Sequence, residues 1–175
     1  MVIDSDVTIS DTELDALNGG NGDYAGASLT VARNGGADAS DSFGFDTDGA
    51  GFMVNGSDLE DGGQAFASFT NSGGTLTINF TGASTTATST LVDEVLQRIT
   101  YANTANDPDA SVTLDYIFND GISDSSGSNQ ATVSITNVND APTLSATGQD
   151  PTYIEGNAGA DLYSGVTPSA VEAAD

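Results

Sequence analysis

The chain has 175 residues, of which 26 are acidic and only two, Arg33 and Arg98, are basic, for a formal net charge of -24. That balance excludes an electrostatic grip on nucleic acid or on an anionic membrane surface, both of which need clusters of Lys and Arg, and it suits cations instead. Cysteine and histidine are absent, which removes Cys/His zinc sites, thiol nucleophiles, disulfides and every Ser-His arrangement.

The length accommodates one β-rich domain, or one domain plus part of another. Gly, Ser, Thr, Asn and Asp dominate, and a high net charge favours disorder. Against that, 37% of the residues are hydrophobic and fall into short period-2 runs separated by turn residues. The pattern predicts a folded all-β domain held together with the help of counter-ions. The opening MVIDSDVTIS has neither a charged n-region nor an apolar h-region, so no signal peptide is expected in it. No apolar run approaches membrane-spanning length, and the chain reads as a piece of something longer.

In chain order, Val7-Thr8-Ile9 alternates briefly before the acidic DTELD. NGGNGDYAGA is turn-rich and leads into a strand at Ser28-Leu29-Thr30-Val31. Phe43 and Phe45 alternate up to DTDGAG, and Phe52 and Val54 resume beyond it, which predicts a hairpin. QAFASF and TLTINF give two further strands, the second with Leu76, Ile78 and Phe80 on one face. TLVDEVLQRIT breaks the rhythm: Leu91, Val95, Leu96 and Ile99 fall at helical spacing, with Thr90 or Thr88 as cap, and predict one short helix near residues 88–99. ASVTLDYIFNDG returns to strand, with Val112, Leu114, Tyr116 and Phe118 on one face. A turn from Gly121 to Gly127 leads to the last strand, QATVSITNV. Seven or eight short strands with turns between them predict an antiparallel β-sandwich.

That last strand ends on an unusual run, NVNDAP at 137–142, and an internal echo follows it. SDVTIS at 5–10 reappears as SGVTPS at 164–169, and Glu13 matches Glu172 at the same offset, which implies a tandem array with a repeat near 159 residues. Residues 1–142 then form one repeat lacking its own first strand, and 143–175 open the next. PTYIEGNAGADLYS is expected either to extend as an unpaired tail or to fill the vacant sheet edge, in cis or in a second molecule.

NVNDAP, the VSIT strand before it, the FNDG turn upstream, ITYANTANDPDASVTLDYIFNDG and ELDALNGGNGDYAGASLTV together resemble the cadherin-like repeats of large bacterial surface and RTX-type adhesins, over most of residues 5–142. The resemblance implies a calcium-binding, cadherin-like or Ig-like β-sandwich, repeated many times in a secreted or cell-surface adhesin of a Gram-negative bacterium. Cadherin linkers read Asp-x-Asn-Asp-Asn-x-Pro, with calcium held between successive domains. Asn137, Asn139 and Asp140 match the first, third and fourth places; the first is Asn rather than Asp and the fifth-place Asn is missing, so the charge expected at the site is lower. Glu155 stands where such a domain places an early glutamate ligand. Asp11 and Glu13 are similar to the Asp-x-Glu pair, with Glu13 favoured because the echo keeps it and turns the Asp into Ala170. Calcium takes six to eight oxygen ligands, carboxylates mixed with amide and backbone carbonyls, and Asn139 with Asp140 offers both kinds.

The plainer readings stand beside these. Asn, Asp and Pro are ordinary turn residues, and DTELD is equally a helix start. GGNGDYAGA departs from the RTX nonapeptide by one position and reads as a loop. DTDGAG has its glycine too early for an EF-hand and reads as a hairpin turn. Asn119-Asp120-Gly121 reads as a turn, with a smaller chance that Asp120 binds an ion. The aromatic residues read as core. With 26 acids, close carboxylate pairs arise by chance, and no enzyme is expected. Two roles remain: a spacer stiffened by calcium at the junctions with neighbouring repeats, or a lectin-like module binding polysaccharide or another cell surface. Only Tyr24, Tyr101, Tyr153 and Tyr163 look free to form a sugar platform, which favours the spacer.

Overall fold

The computed structural model describes residues 1–82, 84–126 and 129–169, and it divides the chain into two compact units, 1–135 and 136–175. Ala170 and Glu172 of the echo, and Gly127 at the end of its turn, lie outside the described residues. The chain is all-β, and the described residues pair antiparallel throughout and hold one helix longer than a turn.

The first unit holds the short helical turn α1 (Thr12–Asp15), β1 (Ser28–Arg33), β2 (Asp41–Phe45), β3 (Met53–Asn55), β4 (Asp58–Asp61), β5 (Gln64–Ser72), β6 (Thr75–Phe80), α2 (Ser89–Gln97), β7 (Ile99–Asn103), β8 (Ser111–Asn119) and β9 (Gln130–Ser134). Seven strands make one sheet in the order β3-β4-β5-β6-β1-β8-β9, and β2 and β7 make a two-stranded sheet. Period-2 alternation explains which face each strand buries. On β8, Val112, Leu114, Tyr116 and Phe118 are buried, while Thr113, Asp115 and Ile117 point the other way. β1 lies between β6 and β8, so Ile78, Leu29 and Phe118 line up in one cross-strand row and Leu76, Val31 and Tyr116 in the next. Such rows are the packing unit of a sheet.

The small sheet covers this apolar face. Phe45 of β2 meets Phe69 of β5 edge-to-face at 5.0 Å, and the Asn71 side-chain amide of β5 donates to the Phe43 carbonyl of β2. α2 adds Val92, Val95 and Leu96 to the same core, and its first turn is capped by the Thr88 hydroxyl, which accepts from the Leu91 amide. The three buried positions recur at i, i+3 and i+4, one face of a helix.

One sequence expectation is corrected here. Phe43 to Phe45 and Phe52 to Val54 do not form a hairpin: β2 pairs with β7, setting Phe43 opposite Tyr101 and Phe45 opposite Ile99, whereas β3 pairs with β4. DTDGAG is instead a crossing between the two layers, and the Arg98 guanidinium holds it by donating to the carbonyls of Asp48 (2.7 Å) and Gly49 (3.4 Å). A strand joins the partner that buries its aromatic face, not always its neighbour in sequence. The briefly alternating Val7 to Ile9 lies outside any strand. Its backbone is satisfied by side chains of α2, with Gln97 Nε2 donating to the Val7 carbonyl at 3.0 Å and the Ile9 amide donating to Asp93 Oδ1 at 2.8 Å.

In the second unit, β10 (Thr143–Gly148) and β11 (Tyr163–Ser169) pair antiparallel with each other in a sheet of their own, with a register shift between Ser145 and Thr147. Residues 149–162 connect the two strands, so PTYIEGNAGADLYS belongs for the most part to the loop of a ribbon. The apolar side chains of this unit, among them Leu144, Ile154, Leu162 and Val166, are more than half exposed.

Candidate functional site

Asp11 is the N-cap of α1. Its backbone is extended, and its Oδ1 accepts from the amides of Glu13 (3.0 Å) and Leu14 (2.8 Å). Capping satisfies two amides that a helix start otherwise leaves without partners. Glu13 lies in the first helical turn with its side chain exposed. Replacing Asp11 with Ala is expected to cost about 1 kcal/mol when measured in a chelator, the usual value of a lost cap. An additional loss that appears only in millimolar calcium would give the same carboxylate a second duty.

Asn137, Asn139 and Asp140 are exposed and lie in the connection from β9 to β10, outside any strand. The Asn139 side-chain amide donates to the Asp140 carbonyl at 3.2 Å. Glu155 is exposed too, at a turn in the connection between β10 and β11. Among the described residues no three carboxylates converge closely enough to hold a metal by themselves, so any ion in the 137–140 run would also draw on amide and backbone carbonyl oxygens, as calcium readily does.

The tyrosines divide differently from the sequence expectation. Tyr153 and Tyr163 are exposed, but Tyr24 is fully buried and Tyr101 nearly so, and neither can present a face to a sugar. Alternation predicts only that an aromatic ring lies inward; it says nothing about the polar tip. Here both hydroxyls find carboxylates. Tyr24 donates to Asp15 Oδ1 at 2.7 Å, where Ser89 Oγ also donates at 2.9 Å. These two hydrogen bonds hold the Asp15 carboxyl below the usual carboxylate range, and burial first, then Asp15, push the Tyr24 phenol well up.

The second carboxylate, Asp41, is the one buried acid among the described residues. It accepts from Arg33 Nε (2.9 Å) and Nη2 (2.8 Å), from the Tyr101 hydroxyl (2.6 Å) and from Asn103 Nδ2 (2.7 Å). Arg33 belongs to β1 and the other three residues to β2 and β7, so this cluster clasps the two sheets together. Both of its charges are fully engaged, and its role is structural.

A cleft of about 580 Å³ opens at one end of the first unit. One wall is the N-terminal segment, represented by Asp4, Val7 to Ser10 and Asp11; the other is the loop after β8, with Asp120, Ser123 to Ser126 and Asn129; Leu29, Leu96, Tyr116 and Phe118, with Gln130 and Ala131 of β9, complete the lining. Hydrogen bonds build both walls. Val7 and Ile9 are pinned to α2 as described. On the opposite side Ser125 N donates to the Phe118 carbonyl at 2.6 Å, Ser125 Oγ accepts from Phe118 N at 3.2 Å and from Asn129 Nδ2 at 2.9 Å, and Tyr116 N donates to the Asn129 carbonyl at 2.8 Å. Asp120 Oδ1 accepts from the amides of Ile122 and Ser123, both at 2.7 Å, an Asx turn that holds this carboxyl below its ordinary value. In the lining, the Tyr116 hydroxyl is buried and has no hydrogen-bond partner among the described residues.

The sequence flagged Asp120 as a turn with a chance of ion binding and assigned Tyr116 to the core. It offered no signal for Asp4 or Asp124, because the cleft is assembled from segments more than a hundred residues apart. Compared with known proteins, the chain matches no family model, and no curated protein or solved structure is significantly similar to it.

Proposed function

We propose that this chain is a calcium-binding, cadherin-like module of an extracellular bacterial adhesin, in which calcium captured at the junction between successive modules stiffens the array. The observation that carries this reading is the placement of Asn137, Asn139 and Asp140. They form an exposed run outside any strand, in the stretch of chain that leads from the last strand of one β unit to the first strand of the next. A carboxylate, two amide carbonyls and neighbouring backbone carbonyls form a donor set of the kind calcium takes, and a formal charge of -24 favours its capture. Extracellular modules bind calcium at about 10⁻⁴–10⁻³ M, so such sites fill outside the cell and stay empty in the cytoplasm.

Calcium that binds only the folded form stabilises it by about 2.7 kcal/mol at a hundredfold excess over Kd. The melting temperature is therefore expected to rise in millimolar calcium, by more than in sodium chloride of equal ionic strength, and Asp140→Ala should remove most of that difference. Equal shifts with sodium and calcium would reduce the effect to charge screening and end the proposal.

A second reading is a calcium-dependent carbohydrate-binding module, and the cleft in the first unit supports the carbohydrate part of it. Its mixture of hydroxyl, amide, carboxylate and apolar lining is of the kind that holds a polyol.

A further inference from the structure

The cleft carries an inference that does not depend on calcium at the junction. Its volume, about 580 Å³, lies within the range of small-molecule sites and far exceeds what a single metal ion needs. Four carboxylates line it, those of Asp4, Asp11, Asp120 and Asp124, and no cationic side chain does. The two arginines are committed elsewhere, Arg33 to Asp41 and Arg98 to the Asp48 and Gly49 carbonyls. An anionic ligand would therefore enter against uncompensated negative charge, whereas a cation would be drawn in.

An inorganic cation fits poorly. Oδ1 of Asp120 is tied to two backbone amides, Oδ1 of Asp124 accepts from Asn119 Nδ2 at 2.8 Å, and Oδ1 of Asp4 accepts from the Asp6 amide at 3.2 Å. Each of these carboxylates is held by hydrogen bonds of its own, and no three of them converge among the described residues. Charge spread around a rim of this kind attracts an extended organic cation rather than clamping a metal.

Tyr116 adds the independent observation. The residue lines the cleft and is 8% exposed, and its hydroxyl is buried with no hydrogen-bond partner among the described residues. Burial raises its phenol well above the ordinary value, and the nearby Asp4 charge raises it further, so the hydroxyl stays protonated. Leaving a buried hydroxyl unsatisfied costs about 1–3 kcal/mol, and native proteins keep few such groups without a water or a ligand to serve them. A hydroxyl can donate one hydrogen bond and accept two. Beside it the cleft offers Ser and Asn side chains for further hydroxyls.

We propose that this cleft binds a hydroxylated organic ammonium compound, the chemistry of a hexosamine with a free amine, whose cationic group sits among the Asp4, Asp120 and Asp124 carboxylates and one of whose polar groups satisfies the Tyr116 hydroxyl. The same chemistry occurs in a free amino sugar and in the deacetylated residues of a glycan.

The test titrates the full chain, in a chelator and at constant ionic strength, with glucosamine, N-acetylglucosamine, glucose and a fully deacetylated chitosan tetramer, read by backbone amide chemical shifts and calorimetry. Glucosamine is expected to give saturable shifts at Phe118, Ser125 and Asn129. The acetylated and uncharged sugars should bind at least about tenfold more weakly, the worth of one charge-assisted hydrogen bond. A tetramer that binds more tightly than the monomer identifies a glycan as the source, and the monomer binding alone identifies the free sugar; both support the site. Tyr116→Phe should weaken glucosamine about tenfold and leave the melting temperature unchanged or raised, because it deletes a hydroxyl that has no partner among the described residues. Asp4→Asn should also weaken binding without a change in fold. Three results would overturn the proposal: no saturable shift with any amine; identical titrations by glucosamine and glucose; or Tyr116→Phe lowering the melting temperature at unchanged affinity, the mark of a hydroxyl served by an ordered water only. None of these readouts moves if the junction fails to bind calcium, so the two proposals stand or fall separately.

Discussion

Asp41→Ala is expected to destabilise the first unit by about 3–5 kcal/mol, the cost of removing one partner from a buried ion pair. The Asp41 side chain is fully buried and the Arg33 side chain is 19% exposed. Removing the carboxylate leaves a guanidinium, the Tyr101 hydroxyl and the Asn103 amide together without their acceptor. Because Arg33 lies on the seven-stranded sheet and Asp41 on the two-stranded one, the loss falls on the contact between layers, not within a ladder. Urea unfolding should show a lower midpoint at unchanged m, the signature of lost stability with the same surface exposed. Asp109→Ala provides the control: Asp109 also meets Arg33, at 3.4 Å, but its side chain is 79% exposed, and the change should cost under about 1 kcal/mol.

The same carboxylate gives a pH signature. Burial by itself would raise the Asp41 carboxyl, but the hydrogen bonds from Arg33, Tyr101 and Asn103 outweigh it and hold the group below the ordinary value. A carboxyl whose folded value is depressed binds its proton more readily in the unfolded chain. Its contribution is therefore complete above the unfolded value, about 3.9, and is lost as pH falls below that through the folded one. Wild type should lose stability more steeply than Asp41→Ala below about pH 4, so the two curves converge in acid. Parallel curves would show that Asp41 is not ionised against Arg33 in the folded protein.

Gly74→Ala is expected to cost about 2–5 kcal/mol, through two effects that a neighbouring residue separates. Ser72 and Thr75 pair across a two-residue turn in which Gly73 and Gly74 both have positive φ, 60° and 77°, as a type I′ hairpin turn requires. An L-residue in that region costs about 1–2 kcal/mol. At Gly73 that is the whole penalty, since a Cβ there would meet nothing within 4 Å. At Gly74 a Cβ would come within 2.8 Å of the Asp38 amide nitrogen and closer still to its carbonyl, a backbone obstacle that cannot rotate away. Overpacking of this kind typically costs a further 1–3 kcal/mol. Gly73→Ala should therefore lower the midpoint modestly and Gly74→Ala substantially; equal losses would mean that the turn does not press on the loop. Asp38 precedes Asp41 and its carbonyl accepts from the Asp41 amide at 2.9 Å, so Gly74→Ala and Asp41→Ala should combine non-additively.

Local patterning made much of the first unit legible. The alternation in ASVTLDYIFNDG places Val112, Leu114, Tyr116 and Phe118 inward, and β8 buries those four. TLTINF does the same for Leu76, Ile78 and Phe80, and the change of period in TLVDEVLQRIT marks the single long helix with its Thr88 cap. These elements are decided by side-chain spacing and by a cap within reach of its own helix, both of which a short window contains. The pairing of β2 with β7 was not legible, because alternation shows that a strand has two faces and not which distant strand will cover one of them. That Tyr24 and Tyr101 are not free for a sugar platform is hidden from the sequence for the same reason: the carboxylates that receive their hydroxyls arrive from Asp15 and Asp41, and only folding brings the Asp41 strand beside Tyr101.

The amino-acid sequence by itself determined the all-β character, the helix, the acidic charge that turns away anions, and the exposed oxygen run at Asn137 to Asp140. Each of these follows from composition or from neighbours a few residues apart. The clasp of Arg33 on Asp41, the pressure of the Gly74 turn on Asp38 and the cleft around Tyr116 were decided only by tertiary structure. They depend on residues far apart in the chain meeting in a buried place, where a polar group without a partner becomes costly and a charge becomes strong, and no local window of sequence records which residues will meet there.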